Sequence, residues 1–549
     1  MRVRARRTIA LLSAWLLSPV VLAAPSAEER GLTQLRDTVA NLLQALVDKG
    51  VLTREQAQAM VRDAETKAEA EMTARADQEK AQEEQEKNAV RVPYVPQVVK
   101  EEISKEVVAE LGPSVKKEVV EEVSSKGSLF AALPEWMQRM TWLGDVRMRD
   151  EGDVFGNGNA TNTYLDFNQV NSKGGIAKAG PSGLLNTTED RNRLRLRLRF
   201  GFDVDLGSGW MASMRLATGS GEIYPTTNQS LGTYGAKYQV AVDQGFLRWT
   251  GTSSTQRQIL ALTAGRFGNP YLATDMVWYP DLTFEGLTGN YRFNLSSSGA
   301  SRHDLFATLG AFPLSNFSPL DPNPSGETKW LAAAQLGADI HTQDESRFAF
   351  GAAYYDYMRI VGQRNDPGST LLNWTAPALF QKGNTLYDIS NSTDPTVNLF
   401  ALAADYKVVD LLALANFRVF SRYTAGFTAE ALKNIGFDAA AVQARTGVYV
   451  APRTRGYRAD LTFGSSSFTV FGSWLASVGY RYLERDAVLD AFNDQDFHLG
   501  GTDAKGYTVR FDYAFTPRVW MRVKYMSANA IDGPPLAIDV WQVDVNTQF

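Results

Sequence analysis

The densest chemistry in this 549-residue chain is a row of guanidiniums, in which Arg193, Arg195, Arg197 and Arg199 alternate with Leu194, Leu196, Leu198 and Phe200. Spaced two apart, the arginines share one face of a strand and the apolar side chains share the other. Arg147 and Arg149 follow the same rule in the stretch from Met140 to Asp150. Guanidiniums in such a row hold carboxylates or phosphates, or draw anions into an aqueous passage. The opposite sign comes from Asp275, Asp281 and Glu285, in and just beyond a non-periodic stretch that begins at Phe267. Walls of opposite charge orient polar solutes and bias ion choice. Inward charges also pair across neighbouring strands, with Asp145, Asp203 and Asp205 as available partners. A bracing role therefore stands beside an anion-selective one.

Catalytic chemistry has no comparable constellation. His303, His341 and His498 occur in neither HExxH nor HxE spacing, and the absence of cysteine removes thiol nucleophiles and thiolate metal sites. His498 with Asp494, Asp496 and Asp503 is the one cluster that a rim hydrolase or a weak calcium site would use, and solvated loop acids are the simpler reading. The expectation is a protein that is not an enzyme and has no metal or cofactor. A net charge of −5 gives no reason to expect nucleic-acid binding.

The arginines need strands to position them, and the chain supplies three regions of different grammar. Arg2, Arg4, Arg6 and Arg7 precede the apolar run IALLSAWLLSPVVLAA, a secretory signal peptide expected to span residues 1–23. Residues 24–134 read as helix. Leu32, Leu35, Val39, Leu42 and Leu46 form a seam, and a second stripe runs from Ile103 to Val123 after Pro93 and Pro96. This region is expected to be a partly coiled-coil periplasmic appendage, suited to touching peptidoglycan or to trimerisation.

From 135 to 549 the period is two. Strands are expected near 140–150, 192–206, 210–218, 239–250, 256–266, 282–293, 303–312, 329–340, 347–357, 396–408, 411–421, 454–464, 467–481, 504–515, 517–527 and 537–549. Segments of about ten residues match a tilted strand crossing a bilayer. Short turns such as Gly207-Ser208-Gly209 alternate with long connections such as 151–191 and 358–395. That alternation, the even count and the terminal aromatic Phe549, an assembly signal, decide for an all-β transmembrane barrel of about 16 antiparallel strands over a soluble sandwich. By strand order, the third long loop is Phe267 to Asp281, the candidate constriction.

Three stretches, LLQALVDKGVLTREQA (Leu42 to Ala57), RVPYVPQVVKEEI (Arg91 to Ile103) and AGRFGNPYLATDMVWYPDLTFEG (Ala264 to Gly286), resemble the bacterial putative-porin family, outer-membrane porins with an N-terminal helical extension. The resemblance implies passive diffusion through the outer membrane and carries over no catalytic residue. The expected partners are outer-membrane lipid, the barrel assembly machinery, small hydrophilic solutes and, by analogy with other porins of this strand number, two further copies in a homotrimer. The expected function is a porin for small hydrophilic solutes or ions with an anion preference. The alternatives are a substrate-selective anion channel and an envelope-tethering structural barrel.

Overall fold

The computed structural model describes residues 135–219, 225–253, 257–298, 301–316, 326–420, 422–465 and 470–549. The expected signal peptide and helical region lie outside the described residues. The strands are β1 (Met140–Phe155), β2 (Arg191–Gly207), β3 (Trp210–Thr218), β4 (Gln229–Ser230), β5 (Val240–Thr252), β6 (Gln258–Gly268), β7 (Thr283–Ser298), β8 (Ser301–Ser315), β9 (Lys329–His341) and β10 (Arg347–Met358). They continue with β11 (Leu386–Asp388), β12 (Phe400–Leu402), β13 (Tyr406–Val419), β14 (Tyr423–Asn434), β15 (Arg455–Ser465), β16 (Trp474–Leu483), β17 (Ala504–Thr516), β18 (Val519–Ala530) and β19 (Ala537–Gln548).

Seventeen of these form one sheet, and β4 is a two-residue piece beside β2. The other sixteen are staves, each antiparallel to its neighbours, and β1 pairs with both β2 and β19, so the sheet closes on itself. Closure leaves no unpaired edge, the condition for a sheet in lipid. Large apolar side chains stand bare on the outside, Leu336 being 65% exposed and Leu309 61%. A belt of such side chains running round the barrel makes sense only against hydrocarbon.

Short turns at one end alternate with mostly long loops at the other, of which four matter here: L2 (219–239), L3 (269–282), L5 (359–405) and L7 (484–503). Strands β6 and β7 flank L3 and carry the paired glycines Gly265 and Gly286, with φ of 124° and 141°. A Cβ on Gly286 would stand 2.3 Å from the Ala311 carbonyl oxygen. These positions admit only glycine and shape the sheet where the chain leaves the wall.

The expected strand set differs from the observed one in two places that cancel in the count. The stretch 396–408 is no stave. Phe400–Leu402 pairs with Leu386–Asp388 in a hairpin inside L5, and Ala401, Leu402, Ala403 and Ala404 are buried in the barrel mouth. Its apolar residues face a core and not lipid. Conversely, β14 lies in a segment read as loop. Its sequence YTAGFTAEALKN presents Ala425, Phe427, Ala429 and Ala431 on the opposite parity from the lumenal Glu430, an apolar face too small-sided to show as alternation.

Candidate functional site: a constricted, charge-lined lumen

The alternation in β1 and β2 turns Arg147, Arg149, Glu151, Arg193, Arg195, Arg197 and Arg199 to the inside, opposite to the exposed Met148, Leu194 and Leu198. Every one of the six arginines meets a carboxylate. Glu151 lies 3.2 Å from Arg195 and also binds Arg193 and Arg149. Asp145 takes Arg197 at 2.8 Å and Arg199 at 2.6 Å, and Asp153 takes Arg193 at 3.1 Å. From β19, Asp544 accepts two hydrogen bonds from Arg149, at 2.7 and 3.0 Å. Two further carboxylates come from loops. Asp281 of L3 stands 3.1 Å from Arg197, 3.3 Å from Arg199 and 3.9 Å from Arg147, and Asp496 of L7 lies 2.8 Å from Arg149. Arg147 also donates to Asn228 of L2. Of the partners available in sequence, Asp145 joins this network, whereas Asp203 and Asp205 have no ion pair to it.

L3 crosses the interior. From its root at β6 the Leu272 backbone N–H donates to Gln335 of β9 (2.8 Å) and the Leu272 carbonyl accepts from the same amide (2.7 Å). Thr274 then donates from backbone and hydroxyl to Glu430 of β14. Asp275 pairs with Arg458 of β15 and lies 3.6 Å from Arg481 of β16. In ring order these strands are nearly opposite β6. The chain returns past L7, where Tyr279 N–H donates to the Phe492 carbonyl at 2.8 Å, and reaches the β1–β2 wall at Asp281. Burial raises the Asp281 carboxyl, but the guanidiniums of Arg197, Arg147 and Arg199 and the Thr227 hydroxyl outweigh it and hold the group below its ordinary value.

The crossing splits the barrel mouth by polarity. On the side of β6 to β16, Phe267, Phe284, Phe312, Leu331, Tyr355, Tyr406 and Leu483 pack with Trp278 of L3 and with apolar residues of L5 and L7 into one buried cluster. Trp278 meets Phe284 at 4.8 Å and Tyr355 at 5.2 Å, both edge-on. A buried indole of about 200 Å² contributes on the order of 4–5 kcal/mol to holding L3 inward. On the other side, β17–β19 and β1–β5 carry Arg510, Asp512, Arg522, Lys524 and the arginine network towards the lumen. A cavity of about 460 Å³ opens between L2, L3 and L5, lined by Thr227, Asp243, Asp281 and Leu379 among others.

The structure brings Asp275 and Asp281 inside on different walls, and sets Glu285 at the edge of the cavity between L2, L3 and L5. Glu285 stands in β7 on the parity opposite to buried Phe284, its carboxylate pairs with Arg266, and both line the cavity they share with Asp281. The L7 acids disperse as well. Asp494 pairs with Arg481 at 2.6 Å, Asp496 with Arg149, and His498 accepts from Lys382 of L5 at 3.0 Å. His303 and His341 lie at the short-turn end, beside Ser296 and Asp339. Sequence reasoning missed Glu430, Arg458, Arg481, Lys524 and Asp544. Glu430 stands between alanines and Arg481 between tyrosines, and for all five the inward parity of the strand is what marks the residue as lumenal. Phe549 at the C-terminus exchanges two backbone hydrogen bonds of 3.0 Å with Gly144, completing the β1–β19 seam.

Fold and site together define a transmembrane β-barrel channel narrowed by an inward loop. The family described as "Putative porin" matches residues 36–549; the chain belongs to it and is an outer-membrane channel of porin type. Among solved structures, it is similar to OprB of Pseudomonas putida in its high-pH structure, with 10% identity, 76% of this chain and 96% of that one covered and a TM-score of 0.42. It is also similar to the outer membrane channel DcaP of Acinetobacter baumannii, with 9% identity, 75% and 97% covered and a TM-score of 0.37. OmpT of Vibrio cholerae with loop L8 deleted matches at 10% identity, 75% and 100% covered and a TM-score of 0.36. No curated protein matches the chain.

Proposed function

We propose that the channel passes small hydrophilic solutes and ions by passive diffusion along the polar arc of the lumen, β17–β19 and β1–β5, with a mild preference for anions. The observation that supports this reading is the division of the interior. At the mouth, apolar side chains line the arc from β6 to β16, where Arg458 and Arg481 are bound to Asp275 and Asp494 and Glu430 to Thr274, so water and solutes are left the charged arc. Along that arc the arginines of β1 and β2 are each engaged by carboxylates. A row so compensated braces the wall and orients dipoles; it does not form a strong anion trap. Full-length protein in planar bilayers should give discrete ohmic steps, with a reversal potential in a KCl gradient displaced modestly towards chloride. An absence of steps would refute the pore, and a reversal potential on the potassium side would refute the preference.

A further inference from the structure

The arginine row is the conspicuous basic feature, yet each member already has a counterion. A cation without one lies elsewhere. Lys524 is on β18, opposite Arg510 of β17 and Gln542 of β19, with the inward parity of Arg522 and buried Met526. Its neighbours are committed. Gln542 donates to Glu151 at 2.9 Å, and Asp512 is shared between Arg510 at 2.8 Å and Arg522 at 2.5 Å. Among the described residues Lys524 has neither a hydrogen bond nor an ion pair within 4.0 Å. Two loop carboxylates feel its charge from beyond that distance, Asp275 of L3 and Asp496 of L7, and both are tied to arginines of β16, β15 or β1.

This placement has a consequence for transport. β18 lies midway along the arc between the β15–β16 contacts of L3 and its return to β1–β2. The hydrogen bonds and ion pairs that anchor L3 fall on β9, β14–β16 and β1–β2, so β18 lies between the two loop-anchoring clusters. Above it, Met526 packs with Phe497 of L7 in a second apolar cluster, which leaves Lys524 as the uppermost charged group of β18 facing the lumen. A half-buried ammonium without a counterion attracts a small anion in passage more strongly than guanidiniums whose charge is spent on carboxylates.

We propose that Lys524 is the anion seat of the constriction, transiently holding chloride or the carboxylate of a small solute, and that it sets the charge preference of the channel. The proposal rests on the pore reading above. The test uses full-length protein in planar bilayers under a KCl gradient, with heat-modifiable migration on gels confirming the folded barrel of each variant. Lys524→Gln should lower chloride permeability relative to potassium by at least about fourfold, the Boltzmann factor of one unit charge across about 5 Å of watery lumen. Lys524→Arg should retain the native reversal potential. Lys505→Gln, on the outward parity of β17, should retain it too. A Lys524→Gln channel with the native reversal potential, or an equal shift on Lys505→Gln, overturns the proposal while leaving the pore intact. A native protein that conducts nothing overturns the pore reading itself.

Discussion

Asp281→Asn tests whether L3 is held in place by its return limb. The aspartate joins Arg197 at 3.1 Å and Arg199 at 3.3 Å, with its side chain 5% exposed. Removing one partner of a buried pair costs about 3–5 kcal/mol when the other charge is stranded. Here Arg197 and Arg199 keep Asp145 at 2.8 and 2.6 Å, Arg147 keeps Asn228, and the amide oxygen still accepts from Thr227, so about 2 kcal/mol is the expected loss. That is smaller than the on-the-order-of 4–5 kcal/mol contributed by Trp278, so L3 stays inside and only its last residues swing. A loss of about 2 kcal/mol raises the population of the released limb about thirtyfold. Single-channel recordings should therefore show larger conductance and added open-channel flicker, with no change in the temperature at which the barrel unfolds. Native conductance and noise in Asp281→Asn would refute the idea that this contact sets the width of the passage.

Two further outcomes concern the elements around L3. Gly286→Ala puts a Cβ against the Ala311 carbonyl at a φ of 141°, costing about 3 kcal/mol or more, and should lower the unfolding temperature seen by heat-modifiable migration; an unchanged temperature would contradict the glycine requirement. The contact of Lys382 in L5 with His498 in L7 carries two opposing pH dependences in the acid range. Burial and the Lys382 ammonium hold His498 well below its ordinary value, so its contribution is complete above about 6.5 and is lost as pH falls through the folded value. Asp490, pushed up to about 7 by burial, works in the other direction, its contribution fading as pH rises through that value. Asp490→Asn removes the opposing group, so proteolysis of L7 should rise more steeply in that variant than in the native protein as pH falls from 7 to 5, and an unchanged profile would exclude this pairing of signs.

The barrel was legible because lipid enforces a period of two wherever its outward side chains are large. RLRLRLRFGFDVDL could hardly be another structure, and fourteen more expected strands overlie staves. The count of sixteen nevertheless came from two errors of opposite sign. Lipid-facing alanines hid β14, and an apolar run that fills the mouth imitated a stave at 396–408. The site was legible in part. Parity placed the arginines inside, but pairing between residues hundreds of positions apart, such as Arg149 with Asp496 and Asp544, depends on sheet closure and loop infolding that no local pattern encodes. Glu285 illustrates the converse, since its parity turns it away from buried Phe284 and onto Arg266.

The seam between β1 and β19 joins the two ends of the described sheet, from Asp145 against Gln548 to Phe155 against Ile538. Bringing ends about 400 residues apart together costs roughly 5 kcal/mol of chain entropy, a sum that grows only logarithmically with length. Closing the ring is thus affordable, but only the final segment can do it. A chain stopped one strand short would not be a slightly smaller pore. It would be an open ribbon with two sticky borders, prone to recruit other polypeptides. Completeness of synthesis is in this way written into the molecule as a geometric fact: an unfinished copy stays visibly unsealed.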